Sequence, residues 1–526
     1  MKELPIGRQV FPEFIEQDLL YVDKTRFVWE LVRQGKFYFL SRPRRFGKTL
    51  LLSTLKAFFE GREELFRGLY LHGQVKEWKK QPVVHIDYSL VSYKDGKSIF
   101  QQSLLNHLQD IASDHGLTLE NSILGDAFTE LVRTLHSQYG KVVVLVDEYD
   151  KAMVDTLTNE DQFEENRAVL RDLYGAMKGL DEYFRFVMLT GVSRFAKVSV
   201  FSGLNNLEDI SMDSAFSNIV GFTQEELEAN FEPRLKKVQE KFDLSWEALM
   251  EQYKYQYNGY SWDGQSTLYN PFSVLKSLKE QDFGNYWFST GTPTFLIDLI
   301  RKQKELPEGL ERVTVSDLTG HSANLKTLPL HALLFQTGYL TVKHAEYDGF
   351  NRYFHLGYPN REVQHAFTTY LLAMFVGKDE FAVQPEAIHL RKALQTEDTE
   401  RFLKILGSFL ADIPARLHLP KEAYYHSLVY MILRLVGMKL LLEKETDKGR
   451  LDAVLELPDK VYVIEFKFGS GTRVKNVKTL SRQALAQIEK KQYYEPYLGG
   501  GKKVILFGIG FLDKALDGRV KVFSPS

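Results

Sequence analysis

The chain of 526 residues contains no cysteine. That excludes disulfides, zinc ribbons and thiol catalysis, and it suits a reducing cytoplasm, where the protein is expected to reside. No secretory leader is expected either, because MKELPIGRQVFPEF has no apolar central stretch. Long hydrophobic runs are scarce. The longest, roughly residues 428–442, is interrupted by Arg434 and Lys439, so it is too short to span a bilayer and reads as a buried helix. There is no internal repeat and no low-complexity tract. His85, His355, His418 and His426 are scattered without the spacing of a zinc motif, and Ser193 and Ser202 form no nucleophile elbow. Net charge is only −2, so the chain as a whole shows no bias towards a polyanion.

The composition that is present, 44% apolar and 13% aromatic with 26% charged, is that of a folded protein, and the length allows about three domains. The first half alternates helices with apolar strands, at Phe37–Leu40, Val83–Asp87, Lys141–Val146 and Phe186–Thr190. That pattern predicts an α/β fold whose parallel sheet is covered on both faces. Beyond Gly221 the texture turns helical and charged. Thr223 and Glu226 are spaced as a capping box, Asn258-Gly259-Tyr260 makes a turn, and helical stretches follow around Pro271–Lys279 and Thr294–Lys304. Leu328–His344 and Tyr353–Leu356 read as a helix-plus-hairpin module. Asp379–Pro420 reads as a helical connector broken by Pro414 and Pro420. The last segment reads as helix, three strands, helix, strand. The aromatic stretches Tyr253–Tyr260 and Tyr286–Phe288 read as helical-domain core rather than base-stacking platforms.

Between the first strand and its helix lies RPRRFGKT, the context a phosphate-binding loop requires. There the backbone of Arg44, Arg45, Phe46 and Gly47 would wrap the phosphates. Lys48 would reach the β/γ oxygens and Thr49 would ligate magnesium. Arg42 stands where the usual first glycine would be. The strand VVVLVDEYDK puts Asp147 where it would hold magnesium-bound water, and Glu148 where it would orient a hydrolytic water. A third strand ends in TGVSR, so Thr190 or Arg194 would sit near the γ-phosphate as a sensor of nucleotide state.

On YVDKT at Tyr21–Thr25, SRPRRFGKT at Ser41–Thr49, LVDEYD at Leu145–Asp150, and LTGVSRF with SGLNNLEDIS within Leu189–Ser211, this half resembles the predicted AAA-ATPase-like family of bacterial proteins, close to the STAND type of P-loop ATPase. The resemblance makes the missing glycine a family trait. It implies an ATPase core over 1–222, a helical lid over 223–320 and a winged-helix-like module over 321–378. LLFQTGYLT and GYPNREV would belong to the last of these. Many such proteins bind ATP as a switch.

The C-terminal region carries a second constellation. GRLDAVLEL, a turn and VYVIEFKF form a hairpin with Asp452 on one strand and Glu465 and Lys467 on the next. The last two point to one face, because strand side chains alternate. Two carboxylates suit magnesium or manganese, which leave waters available as nucleophiles. Lys467 would deprotonate or orient that water, or steady the pentacovalent phosphate. Glu422, on the helix just upstream, is a further candidate metal ligand. Downstream, Gln487 and Tyr493 would orient the lysine or contact a nucleic-acid backbone. Nine Lys or Arg against two acids lie between Lys467 and Lys503, where phosphates would have to run.

On GRLDAV, VIEFKF and the QI…Y pattern, residues 420–526 resemble the PD-(D/E)XK nuclease superfamily, with Leu451-Asp452 in place of Pro-Asp. The resemblance implies that Asp452 and Glu465 are metal ligands and that Lys467 is the catalytic lysine. Residues 379–419 are then a helical connector between a P-loop half and a restriction-endonuclease-like α/β domain. The expectation is an ATP-regulated, magnesium- or manganese-dependent nuclease, with Asp452, Glu465, Lys467 and Glu148 as its catalytic residues. ATP, nucleic acid (DNA favoured) and further copies of the chain are its expected partners, with no membrane. Defence against foreign DNA suits such an architecture. The rival reading is a STAND-like ATP switch whose C-terminal module binds nucleic acid or protein without cutting.

Overall fold

The computed structural model describes residues 1–194, 206–287, 313–316, 318, 329–377, 380–411, 422–436, 439–446, 449–469, 476–512 and 515–524. The helix expected over 294–304, Ser202 and His418 lie outside these residues, as do the side chains of Glu422 and His426. The described residues fall into two compact units, one up to Gln364 and the other from His365. Among them, no helix is long and apolar enough to cross a membrane.

The first unit is built on five parallel strands: β1 (Phe37–Ser41), β2 (Val83–Asp87), β3 (Val142–Asp147), β4 (Phe184–Gly191) and β5 (Glu208–Asp209). Their order is β2-β3-β4-β1-β5. Every residue of β3 is buried, and the helices Lys48–Phe59, Lys97–Asp114, Leu124–Tyr139 and Glu160–Lys178 belong to the same unit. Each fully buried Val or Leu of such a strand stabilises the fold by about 1.5–3 kcal/mol. The order places β4 between β1 and β3. The end of β4, at Thr190 and Gly191, therefore lies between the loop after β1 and the carboxylate that ends β3.

The helix Gln224–Phe242 opens on a capping box, with Thr223 Oγ1 accepting from Glu226 N at 3.2 Å and Glu226 Oε2 accepting from Thr223 N at 2.9 Å. It shares a core with the helices Trp246–Tyr257 and Pro271–Glu280, through Phe231, Leu235, Tyr253 and Val274 among others. The helix Leu330–Thr337 precedes an antiparallel hairpin, β7 (Thr341–Tyr347) and β8 (Arg352–Gly357), to which β6 (Val313–Val315) adds a third strand.

The second unit holds a mixed sheet of β9 (Lys439–Thr446), β10 (Gly449–Glu456), β11 (Lys460–Gly469), β12 (Lys503–Leu512) and β13 (Ala515–Phe523). The order is β13-β12-β11-β10-β9, parallel only between β11 and β12. Three features differ from the sequence reading. The chain ends on two strands after the helix Val477–Lys491, not one. The apolar run 428–442 divides between the helix Glu422–Leu435 and β9, because Leu440–Leu442 pair with Leu455–Ala453. The helices Glu380–Gln395 and Thr399–Ala411 share one core with this sheet, through Leu390, Phe402, Phe409 and Phe507, so they form part of the unit rather than a free connector.

Candidate functional site

The loop Arg42–Gly47 joins β1 to the helix Lys48–Phe59. Arg45 (φ 69°) and Gly47 (φ 96°) are left-handed, a backbone form that gathers successive N–H groups into an anion-binding concavity. Lys48 is buried and donates to the carbonyls of Arg42 (2.9 Å) and Pro43 (3.0 Å). Burial pushes its ammonium below the usual lysine range, against the opposing pull of Asp147, Glu148 and Asp150. Asp147 is also buried. Its Oδ1 accepts from the Thr190 hydroxyl at 2.6 Å and from Glu148 N at 3.0 Å. Glu148 takes φ 51° and pairs with Lys151 at 3.2 Å.

A cavity of about 430 Å³ is lined by Arg44, Arg45, Phe46, Gly47, Lys48, Thr49, Glu148 and Lys151. Apolar side chains, among them Phe14, Val22, Val28, Phe222 and Phe272, complete its wall. The guanidinium of Arg45 stands 4.8 Å over the Phe272 ring, and Arg44 lies 3.7 Å from Asp155. Loop amides and cations beside an apolar wall fit the two halves of a nucleotide.

Arg42 and Arg194 have other work. Arg42 is fully buried and donates to the carbonyls of Ser41 (2.9 Å), Ser211 (2.8 Å) and Phe216 (3.3 Å), with its guanidinium 4.0 Å over the Trp262 ring. Burial pushes it down to about 9, with Asp209 opposing. The residue in the glycine's place thus anchors the loop from behind. Arg194, expected with Thr190 as one of two alternative γ-phosphate sensors, grips Asp209 through Nε (3.1 Å) and Nη2 (2.9 Å) and does not line the cavity. Asp150 has no assigned role in the sequence reading, although LVDEYD includes it. It is buried, accepts from Val192 N at 3.1 Å and from Ser193 N, and so ties the turn after β3 to the end of β4. Its one signal in the sequence is the third acid of DEYD. Trp287, read in the sequence only as part of an aromatic core stretch, donates through Nε1 to Arg44 O at 3.1 Å.

In the second unit, β10 and β11 pair antiparallel with Ala453 beside Ile464, a register that sets Asp452 opposite Glu465. Asp452 Oδ2 accepts from Phe466 N at 2.8 Å. Glu465 is 2% exposed. Its Oε1 accepts from Lys467 Nζ at 3.4 Å and from Gln487 Nε2. Its Oε2 is buried with no hydrogen-bond partner among the described residues. Burial, then the neighbouring Asp452 carboxylate, raises Glu465 to about 7, with Lys467 opposing. Gln487 reaches the carboxylate because the helix Val477–Lys491 lies directly on β12. Gly508 and Gly510, paired with Glu465 and Lys467, make room for it. A Cβ at Gly508 would stand 2.3 Å from Leu485 N and 2.7 Å from Ser481 O.

Tyr493 is 3% exposed, in a core with Leu451, Val463, Ile488 and Leu506, and so backs the site from inside rather than facing a nucleic-acid strand. Burial, then Glu465 and Asp452, pushes its hydroxyl up. Gln487 holds the carboxylate. Of the basic run, Lys502 donates to Leu457 O at 2.9 Å and Lys503 pairs with Glu397. Lys478, Arg482, Lys490 and Lys491 are exposed along the helix. No cluster of three metal-ligating side chains stands among the described residues, and Glu422, whose side chain lies outside them, opens the helix Glu422–Leu435. A carboxylate pair with one buried, unmet oxygen fits a hard divalent cation.

Comparison with known proteins agrees with both family resemblances. Residues 5–201 match the model of a family described as a predicted AAA-ATPase, and residues 420–517 match the PD-(D/E)XK nuclease superfamily. An uncharacterized protein in the vnfD 5' region of Azotobacter chroococcum mcd 1 is 37% identical over 526 residues, covering 97% of this chain and 96% of that protein.

Proposed function

The chain belongs to the family of this Azotobacter protein, joining a predicted AAA-ATPase domain to a PD-(D/E)XK nuclease superfamily domain, and from that premise we propose an ATP-gated, metal-dependent nuclease. One observation carries the reading: Glu465 Oε2 is buried without a partner among the described residues, beside a second carboxylate. An acceptor left unmet in that way costs about 1–3 kcal/mol. Asp452 and Glu465 would hold magnesium or manganese, with Glu422 as the outer ligand. When bound, such an ion supplies Lewis-acid stabilisation of charge at a phosphodiester.

The chain's own residues do the rest. Lys467 and Gln487 occupy Oε1 of Glu465, which leaves Oε2 to the ion. Lys467 also orients or deprotonates the attacking water, or steadies the phosphate as it becomes pentacovalent. In the other unit, Lys48, which now donates to loop carbonyls, would hold the β/γ oxygens of ATP, and Thr49 and Asp147 would hold the accompanying magnesium. Glu148 orients a hydrolytic water. DNA is the favoured substrate, defence against foreign DNA the setting, and self-association on ATP a further part of the proposal.

The test is cleavage of single- and double-stranded DNA and RNA with magnesium and with manganese. The wild type is expected to cut DNA only with a divalent ion. Lys467→Ala should lose cutting while melting at the same temperature. Undiminished cutting by a folded Lys467→Ala protein would overturn the site.

A further inference from the structure

Two sequence features stand outside that function: the Asn258-Gly259-Tyr260 turn and GYPNREV at 357–363. The fold brings them together. Gly259 (φ 108°) follows the helix Trp246–Tyr257, and a Cβ there would stand 2.1 Å from Pro359 O, so only glycine lets the turn close on the segment after β8. The two segments line a groove of about 390 Å³. Lys254, Lys343, Arg361, Tyr255, Tyr358 and Asn360 contribute to it, and no carboxylate among the described residues does.

The cations in this groove meet neutral partners. Lys343 Nζ donates to Pro359 O at 2.9 Å, and Arg361 Nη1 reaches Gln256 Oε1 at 3.3 Å. Lys254 is exposed. Burial holds the Lys343 ammonium down to about 8, and a bound anion would favour its charged form. Asn360 stands at the start of the helix Arg361–Val376, with its Oδ1 accepting from Val363 N at 3.1 Å. The residue is 8% exposed, yet its Nδ2 has no hydrogen-bond partner among the described residues. A buried, unmet donor at a helix N-terminus is a place for a phosphate oxygen. Tyr255 is 60% exposed beside these charges and offers a ring face on which a base can stack.

We propose that this groove is a second site for nucleotide chemistry, separate from the cavity at the phosphate loop. It takes a phosphate on Lys254, Lys343, Arg361 and the Asn360 amide, and the attached base on Tyr255 or Tyr358. A nucleic-acid strand and a free nucleotide both present that pairing of phosphate and base. The site does not depend on the chain cutting anything.

The test uses the full chain in EDTA and a double variant, Lys254→Glu with Lys343→Glu, checked for parental melting and ATP affinity. A short fluorescein-labelled single strand reports binding by anisotropy across a salt series. The expected result is at least a tenfold loss of affinity, with the log–log salt slope smaller by about 1.4, two phosphate contacts at roughly 0.7 each. If the parent binds no strand, calorimetry with AMP should show an equivalent beyond the loop site that the double variant lacks, and the source is then a free nucleotide. Unchanged strand affinity, salt slope and nucleotide stoichiometry in the folded double variant would overturn the proposal. If the pair fails to fold, Lys254→Glu alone, with its exposed side chain, carries the same readouts.

Discussion

Gly508 lies on β12 opposite Glu465, under the helix that carries Gln487, and it is where the candidate cutting site is most open to a clean perturbation. A methyl group at that position would sit 2.3 Å from Leu485 N and 2.7 Å from Ser481 O, both backbone atoms that no rotamer change can move. Restoring ordinary contact requires the helix to retreat by about 1 Å, and overpacking of this kind costs about 1–3 kcal/mol. Gln487 rides on the same helix, so its amide leaves Glu465, and a 1 Å misplacement of a positioning group costs roughly a hundredfold in rate. Gly508→Ala should therefore cut nucleic acid about a hundredfold more slowly, melt a few degrees lower, and bind ATP as the wild type does. Gly500→Ala is the control, since its nearest neighbour would be Tyr497 O at 3.8 Å. Wild-type cleavage by a folded Gly508→Ala protein would refute the helix-on-strand argument.

Two further predictions come from the first unit. Arg42→Gly restores the usual phosphate-loop glycine, yet it strips three carbonyls of their donor. It should lower stability by about 3 kcal/mol or more without tightening ATP binding, as read by melting and ATP titration; tighter binding at parental stability would contradict the anchoring role. Glu362 is buried, accepts from Trp287 N at 2.7 Å and from Tyr286 N, and is raised by burial to about 7. Its favourable contribution is full below the ordinary carboxylate value of 4.5 and is lost as pH rises through about 7, because the folded state then keeps a proton that the unfolded state has shed. Glu362→Gln should therefore gain in Tm relative to the wild type between pH 5 and pH 8, by the equivalent of up to about 3 kcal/mol; a constant difference would refute the linkage.

The elements that announced themselves in the sequence are those whose signal is local. β3 reads as a strand because six consecutive buried residues need no partner to be recognised, and the loop before Lys48 reads as a phosphate cradle from its own residues. The hairpin that carries Asp452 on one strand and Glu465 on the next was legible because its two strands are separated only by a short turn. What escaped depends on distant partners. Arg42 shows in the sequence only as the residue in the glycine's place; its role appears when Trp262 and the carbonyls of Ser211 and Phe216 enclose it. Arg194 looks like a sensor until Asp209 holds it. Tyr493 is buried because Leu451 and Leu506, from other strands, close over it. The helices at 380–411 look like a linker because their apolar faces find the sheet at Phe507 only in three dimensions. The division of the 428–442 run follows from pairing with β10, which no periodicity within the run displays.

Coupling between the two halves is the central claim, and one comparison tests it most directly: the rate of magnesium-dependent cleavage with and without ATP, for the wild type and for Lys48→Ala. Lys48 belongs to the unit that ends at Gln364, and Asp452, Glu465 and Lys467, the proposed cutting residues, belong to the other, so the substitution does not touch them. The account predicts that ATP changes the wild-type rate by tenfold or more, about 1.4 kcal/mol of coupling, and leaves Lys48→Ala unaffected. Equal cleavage with and without ATP in the wild type, or the same ATP response in both proteins, would contradict it.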